Sequence, residues 1–360
     1  MPINVPFDER AVLDDAGGRA YDWFIFDTGF PIWSEEFASR RRASFVWRVT
    51  SRKPVALMGN LCVCCGVRGK GPALLPENAS GGNAGYGYAL AKNDRARMED
   101  AVVVNDNVSG HRCYAVVDGH GGDRAAILLR EMLPSKLGQQ LQGSKTKEQA
   151  TRDAFVEVDE ELKLALLQEP KAPGRTPGAV ACVAMLEGTD LILANLGDCR
   201  ALVCEGGQVK FATADHSPVS NKLEKERLQA LGVAIEGGYV GGELQVTRAF
   251  GDLDGETGQK LAGLICTPEV TILEISDDTE FLLLASDGIW DGIRDQLALT
   301  TARKTLRETR SPQAAAQAVL EAAGKVTKAD NAAVVVVALN IPEPLPKRER
   351  SQQHFQLKLE

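Results

Sequence analysis

The segment CYAVVDGH, residues 113–120, joins a short apolar run to an aspartate, a glycine and a histidine. Apolar runs of this length, rich in Val, Ile or Leu and closed by turn-forming residues, are typical of buried strands. The pattern recurs in AVVVND, GAVACVAML, DLILANLGD, RALVC, FLLLASDG and NAAVVVVAL. Such strands are too numerous for a simple alternation of strand and helix, so we expect an α+β fold with strands stacked on strands and helices outside.

The segments between these strands show the spacing of amphipathic helices. In TRDAFVEVDEELKLALL, apolar residues recur at helical intervals from Phe155 to Leu166. Helices are also predicted over DRAAILLREMLPSKL, which follows a glycine pair, and over NKLEKERLQALG, which ends at Gly232. A last long helix is predicted over about 295–323, with the Ser-Pro pair at 311–312 as an internal break.

The composition of the 360 residues limits the function classes. Acidic side chains outnumber basic ones 49 to 41, a net charge of −8, which argues against a general nucleic-acid binder. Most of the eight cysteines lie singly in apolar runs, as buried free thiols do, and this indicates a reducing compartment. Because the sequence shows neither a secretory signal nor an apolar run of about 20 residues, we expect a cytoplasmic protein, with nuclear or membrane-associated locations left open.

Carboxylates stand at the ends of several predicted strands. Strand ends are rigid and can converge on one point, where uncompensated buried charges would cost on the order of several kcal/mol without a cation. The carboxylates at these positions are Glu99, Asp100, Asp118, Asp198, Asp287 and Asp330. Each alone is consistent with an ordinary turn, but together they favour a metal site. Oxygen ligands suit Mg²⁺ or Mn²⁺, and the chain has only four histidines for a zinc site.

Two basic side chains near these carboxylates suit phosphate chemistry. His120, two residues after Asp118, is placed to protonate a leaving alkoxide. Arg95, five residues before Asp100, offers a planar fork for two phosphate oxygens. Other chemistries are weakly supported, because GVRGKG (66–71) lacks the Walker A spacing and no G-x-S-x-G segment occurs.

Seven ordered blocks give the sequence a family resemblance. They are RARMED (95–100), VVDGHGG (116–122), LANLGDCRALV (193–203), ADHSP (214–218), LQVTRAFGD (244–252), LLASDGIWD (283–291) and ADNAAVVVV (329–337). Together they resemble the metal-dependent protein phosphatases, the type 2C serine/threonine phosphatases, over about residues 84–340. The resemblance implies an αββα sandwich of two antiparallel sheets flanked by helices, and phosphorylated proteins as substrates.

The resemblance also implies two Mg²⁺ or Mn²⁺ ions at a carboxylate site, with a metal-activated water attacking phosphoserine or phosphothreonine. Asp118 would bridge both ions. Asp287 and Asp330 would complete one site, and Glu99 with the backbone carbonyl of Gly119 would complete the other.

Further residues would act around these ions. Asp100 would support the shell of the bridging water, His120 matches the proposed general acid, and Arg95 matches the phosphate-binding arginine. A weaker third metal site, found in some members, would use Asp198 and Asp291 together with Asp287.

One departure concerns the segment before AVACVAML. Family members usually carry Gly-Ser/Thr-Thr-Ala there, whereas this chain has Thr176-Pro177-Gly178-Ala179, so the hydroxyl expected at 178 is absent. That change places turnover or third-metal behaviour in question, but not the two-metal core. Two alternatives stay open: a catalytically silent family member that binds a phosphoprotein or regulatory partner, and an enzyme for a small phosphorylated metabolite.

Three regions are expected: an N-terminal extension and Gly/Pro/Ser-rich linker over 1–83, a catalytic domain over 84–340, and a tail over 341–360. The segment MGNLCVCCG (58–66) resembles a second start. If translation began at Met58, Gly59 would accept myristate and the cysteines would be palmitoylation candidates, giving membrane association. The alternative is an ordinary arm with exposed thiols. We expect a monomer without nucleic-acid partners.

Overall fold

The strand pattern of the sequence corresponds to antiparallel sheets in the computed structural model, which describes residues 76–169 and 174–343. Before residue 76 it describes only the backbone of four short strands within 9–25 and 61–68. The chain divides into two compact units, Met1–Ala56 and Leu57–Glu360. The two strands of the first unit pair antiparallel with each other, and the elements discussed below belong to the second.

The strands are β1 Glu9–Asp14, β2 Ala20–Ile25, β3 Leu61–Cys62, β4 Val67–Arg68, β5 Asn78–Gly82, β6 Tyr86–Ala91, β7 Ala101–Val108, β8 His111–His120, β9 Gly178–Glu187, β10 Asp190–Leu196, β11 Arg200–Glu205, β12 Gln208–Ala212, β13 Ile235–Glu236, β14 Tyr239–Val240, β15 Phe250–Gly251, β16 Glu269–Glu274, β17 Thr279–Ala285 and β18 Ala332–Ala338. The helices are α1 Arg124–Leu141, α2 Lys147–Leu167, α3 Lys222–Ala230, α4 Asp287–Trp290, α5 Asp295–Thr309 and α6 Pro312–Gly324.

Two large sheets make up the centre of the domain. In the first the strand order is β16-β10-β9-β8-β7, with β15 also paired to β9. In the second the order is β12-β11-β17-β18-β6-β5. The pairs within both sheets are antiparallel, and this agrees with the predicted strands.

Strand β18 shows how the two sheets share a core. Its residues Val335 and Val337 belong to the apolar cluster that also contains Val116 of β8 in the first sheet. Its alternate residues Val334 and Val336 belong to a second cluster with α5 and α6 on the other side. A strand buried on both faces has no polar side to display, and this explains why it appears in the sequence as an unbroken valine run.

Helices cover the outer face of each sheet. The apolar stripe of α2, including Phe155 and Leu162, is fully buried in the cluster of the first sheet. The long helix predicted over 295–323 is instead two helices, because Arg310 has a left-handed φ of 56° and Pro312 starts α6. The predicted αββα sandwich is confirmed.

The edge strand β5 lies within the segment that the sequence led us to assign to a linker. Asn78–Gly82 pairs antiparallel with β6, so the sheet begins before residue 84. A Cβ on Gly81 would lie 2.8 Å from the hydroxyl oxygen of Tyr88, so this glycine makes room for the ring. Edge strands pair through backbone groups and can be polar and glycine-rich, so their sequence pattern resembles that of a linker.

Within the described part of the chain, no helix combines the length and apolar character that a membrane crossing requires.

Candidate active site

Strand β8 ends in Asp118, Gly119 and His120, at one edge of the first sheet. The backbone N–H of Gly119 donates to the carbonyl oxygen of Glu99 over 3.2 Å. A Cβ on Gly119 would lie only 2.6 Å from that oxygen, so the close approach of the two segments requires glycine. Glu99 is thereby held beside the end of β8 that carries Asp118.

The second sheet contributes through Ser286, which joins the two sheets at this edge. Its hydroxyl donates to the carboxylate of Asp100 over 2.7 Å and accepts from the backbone N–H of Ala333 over 2.9 Å. Ser286 is fully buried and directly precedes Asp287, the first residue of α4. The sequence prediction missed Ser286, although it stands within the LLASDGIWD block.

Asn331 is a second residue that the sequence prediction missed. Its side chain is 3% exposed. Its amide oxygen accepts from the N–H of Glu99 over 2.7 Å, and its amide nitrogen donates to the carbonyls of Lys92 and Arg97. These three hydrogen bonds hold the segment that carries Glu99 next to Asn331. Glu99 therefore lies near Asp330, which directly precedes Asn331 in the chain.

Arg95 reaches the same edge from this segment. Its Nη2 lies 2.5 Å from Oδ2 of Asp330, and its Nε donates to the carbonyl of Ala329. The side chain of Arg95 is 49% exposed. The guanidinium therefore stands at the mouth of the cluster with part of its donor set open to solvent.

Burial and mutual repulsion raise the pKa values of the clustered aspartates. Burial, then the charges of Asp100, Asp287 and Asp198, raises the pKa of Asp118 well above its usual range. Burial, then the charges of neighbouring aspartates, raises the pKa of Asp100 to about 8, of Asp198 to about 7 and of Asp287 to about 6. Besides burial, the charge of Asp287 raises the pKa of both Asp118 and Asp100, so carboxyl groups from both sheets lie close to one another.

The donor set suits a hard divalent cation. Crowded carboxylates whose like charges oppose ionisation are the groups that a cation would stabilise in the charged form. Glu99 and Asp291 show the same direction of shift, because partial removal from water raises the pKa of both, and the charge of Asp330 adds to it at Asp291. Among residues 76–169 and 174–343, no three acidic, histidine or cysteine side chains already form a ligand cage, so the coordination itself stays a prediction.

His120 is held by a partner that the sequence prediction did not assign. Its Nε2 lies 2.9 Å from both carboxylate oxygens of Asp252, which is 1% exposed. Burial alone would lower the pKa of His120, but the hydrogen bond and charge of Asp252 outweigh it and raise that pKa. Asp252 is the last residue of the LQVTRAFGD block, and its place in that block is the signal in the sequence that could have marked it as a site residue.

The structure therefore brings the predicted residues to one edge of the sandwich, with Asp291 exposed at its rim. In a comparison with known proteins, the sequence model of the family described as Protein phosphatase 2C matches residues 85–332. The chain belongs to the protein phosphatase 2C family. It is accordingly a serine/threonine protein phosphatase, and the family and enzyme class predicted from the sequence are confirmed.

Relatives and solved structures of protein phosphatases 2C resemble the chain over most of its length. Probable protein phosphatase 2C 57 of Oryza sativa is 33% identical over 300 residues, which cover 78% of this chain and 79% of the relative. Probable protein phosphatase 2C 22 of Arabidopsis thaliana is 33% identical, over 70% and 67%. A serine-threonine phosphatase 2C structure from Toxoplasma gondii has a TM-score of 0.59 at 22% identity, over 74% and 98%, and this likeness shows the fold.

A buried ion-pair network anchors the 216–242 segment of this phosphatase 2C domain. Glu224 of α3 is 2% exposed and accepts from Arg227, Arg248 and Thr247 over 2.6–3.2 Å. Burial opposes ionisation of Glu224, but these hydrogen bonds outweigh it and lower its pKa to about 2. His216 lies in the same region, and burial, then the positive charge of Arg248, lowers its pKa to about 4.

Replacing Glu224 with glutamine should destabilise the domain by about 2 kcal/mol at pH 7, because two arginines lose a buried counter-charge. Glu224 has a folded-state pKa below the unfolded value of 4.5. Its contribution is therefore complete above pH 4.5 and is lost as the pH falls toward 2. Urea unfolding from pH 8 to pH 4 should show a constant difference from wild type above pH 5 that shrinks below it. Glu226→Gln, on the exposed face of α3, is the control; equal stabilities for both variants would contradict the prediction.

Proposed function

We propose that this protein hydrolyses phosphoserine and phosphothreonine in proteins, with Mg²⁺ or Mn²⁺ at the carboxylate cluster. One observation carries the proposal: Ser286 of the second sheet donates a hydrogen bond to Asp100 beside the first, and burial together with neighbouring carboxylate charges raises the pKa values of Asp100, Asp118 and Asp287. An arginine and a histidine lie at the same edge. The silent alternative has less support, because the chain retains every predicted ligand of the two-metal core.

The predicted ligands divide as the family resemblance implies. Asp118 would contact both ions, Asp287 and Asp330 would hold one, and Glu99 with the carbonyl of Gly119 would hold the other. A weaker third site would use Asp198 and Asp291 with Asp287. Bound ions supply Lewis acidity and lower the pKa of water to near neutrality.

The chain's own groups orient the substrate and handle the leaving group. Arg95 is half exposed, so its guanidinium can exchange Asp330 for two phosphate oxygens without unfolding any element. His120 can give a proton to the seryl or threonyl oxygen as it leaves. The carboxylate of Asp100 accepts a hydrogen bond from the hydroxyl of Ser286, and this contact holds the edges of the two sheets together.

Phosphate release from a phosphothreonine peptide tests the proposal. We expect turnover with Mn²⁺ or Mg²⁺ and its loss in EDTA, with recovery when the metal is restored. Equal rates with Mn²⁺ and with EDTA would exclude the two-metal mechanism. A set of small phosphorylated metabolites, assayed alongside, tests the metabolite alternative, because faster turnover of any of them would favour it.

Arg95→Ala should raise the KM for the phosphothreonine peptide by roughly 10-fold and change kcat less, because the lost contact is made to the phosphate of the bound substrate. Initial-rate kinetics in Mn²⁺ measure both constants. Arg97→Ala is the matched control, since Arg97 lies two residues away and is exposed. An unchanged KM in Arg95→Ala would remove Arg95 from phosphate binding.

Location in the cytoplasm is part of the proposal. The described cysteines are free, and Cys113, Cys182, Cys199 and Cys204 are buried, which suits a reducing compartment. The side chains of MGNLCVCCG lie outside the described residues, so lipidation after a start at Met58 remains a proposal beside the ordinary-arm alternative. Intact mass of the native protein distinguishes them, because an N-terminus at Met1 or Pro2 would end the second-start hypothesis.

A further inference from the structure

Asp252 is a buried carboxylate that the proposed metal and phosphate contacts leave unused. Both its oxygens lie 2.9 Å from Nε2 of His120. A carboxylate only accepts hydrogen bonds, so Nε2 carries the proton in this contact. Among the described residues no group pairs with Nδ1 of His120. That nitrogen is therefore free to exchange a proton with a substrate.

The backbone at Asp252 is held in a conformation that most residues avoid. Its φ of 54° lies in the left-handed region, which is energetically unfavourable for a residue other than glycine. Its carbonyl accepts from the N–H of Leu261 and from Nη1 of Arg175, and its N–H donates to the carbonyl of Pro177. These bonds fix where the carboxylate points, independently of His120.

Gly178 provides the space for this contact. It pairs directly with His120 in the ladder between β8 and β9. A Cβ on Gly178 would lie 2.2 Å from Oδ2 of Asp252 and 2.5 Å from Nε2 of His120. Its φ lies outside the left-handed region, so the backbone conformation does not require glycine here. Glycine is required because the side chains of Asp252 and His120 fill the space that a Cβ would take. This is the position where the sequence lacks the hydroxyl that family members usually carry.

We propose that Asp252 is a positioning residue that orients the imidazole of His120 through Nε2, and that Gly178 makes the contact possible. The inference rests on the proposed function, because it concerns the leaving-group step. As the bond from phosphorus to the leaving oxygen breaks, that oxygen keeps the electron pair and takes the Nδ1 proton of His120 in its doubly protonated form, which leaves the neutral Nε2–H ring hydrogen-bonded to Asp252. The attacking water forms the new bond to phosphorus and releases its proton to solvent.

The Asp252→Asn variant tests the role through the choice of leaving group. A threonyl oxygen needs a proton as it leaves, whereas p-nitrophenolate is a stable anion at neutral pH. We expect kcat for a phosphothreonine peptide to fall roughly 10–100-fold and kcat for p-nitrophenyl phosphate to change less than about threefold. Asp254→Asn, two residues away in the same loop, is the matched control and should change neither rate.

The Gly178→Ala variant tests the same contact from the other side. Its methyl group would separate Asp252 from His120, so it should show the same selective loss. Asp252→Asn and Gly178→Ala disrupt the same contact between Asp252 and His120. The variant that carries both changes should therefore turn over the peptide no more slowly than the slower single variant. Gly324→Ala is the control glycine, since a Cβ there would meet only Lys328, at 3.8 Å.

A measurement without turnover separates positioning from a general loss of structure. In ¹⁵N-histidine NMR of the metal-free protein, at a pH high enough to make the ring neutral, wild-type His120 should be the Nε2–H tautomer, identified by its absence in His120→Gln. In Asp252→Asn it should become a mixture of tautomers. Equal losses on both substrates, or an unchanged tautomer, would overturn the inference. If wild type releases no phosphate with Mn²⁺, the proposed function fails, while the tautomer result still reports on the Asp252 contact.

Discussion

Asp118→Asn is expected to abolish turnover of a phosphothreonine peptide while making the metal-free protein more stable. If Asp118 bridges the ions as proposed, its loss removes several kcal/mol of transition-state stabilisation, and kcat should fall by roughly 10³-fold or more. In EDTA the same change removes a carboxyl group whose ionisation is disfavoured by burial and by the charges of Asp100, Asp287 and Asp198. We therefore expect a gain of about 1–2 kcal/mol in the free energy of urea unfolding.

The two effects of Asp118→Asn have separate readouts. Mn²⁺ should raise the Tm of the wild-type protein, because an ion that binds only the folded state stabilises it, and this shift should largely disappear in the variant. Asp153→Asn is the control, since Asp153 pairs with Lys145 on the surface of α2. It should leave both the activity and the Mn²⁺ shift unchanged. A variant of Asp118 with wild-type turnover, or with a full Mn²⁺ shift, would contradict the assigned role.

Strands buried on both faces and ending in carboxylates could be predicted from the sequence. The valine run of β18 is apolar on both faces because one face packs between the sheets and the other under α5 and α6. Asp330 stands just before that run, so it could be recognised from the sequence as a carboxylate at the start of a buried strand. These features are local, so a single sequence segment contains the whole signal.

Features that depend on long-range pairing could not be predicted in this way. The contact of Asp252 with His120 joins residues 132 positions apart and depends on the missing side chain at Gly178. In the sequence Asp252 stands at the end of the LQVTRAFGD block, but that position does not show that it contacts His120 rather than forming a turn. Strand β5 was missed for a related reason, because its pairing with β6 uses backbone groups and leaves no apolar pattern.

His120→Gln should lower kcat for the phosphothreonine peptide by roughly 10²–10³-fold, since a positioned general acid contributes about that much when the leaving group is an alkoxide. Turnover of p-nitrophenyl phosphate should fall less than about 10-fold, because that leaving group barely needs a proton. Steady-state kinetics on both substrates in Mn²⁺ give the ratio, and circular dichroism checks the fold. Equal losses would remove His120 as the acid. Because Asp252 acts only through His120, adding Asp252→Asn to His120→Gln should slow the peptide reaction no further, and a further loss would show that Asp252 contributes to the site by another route.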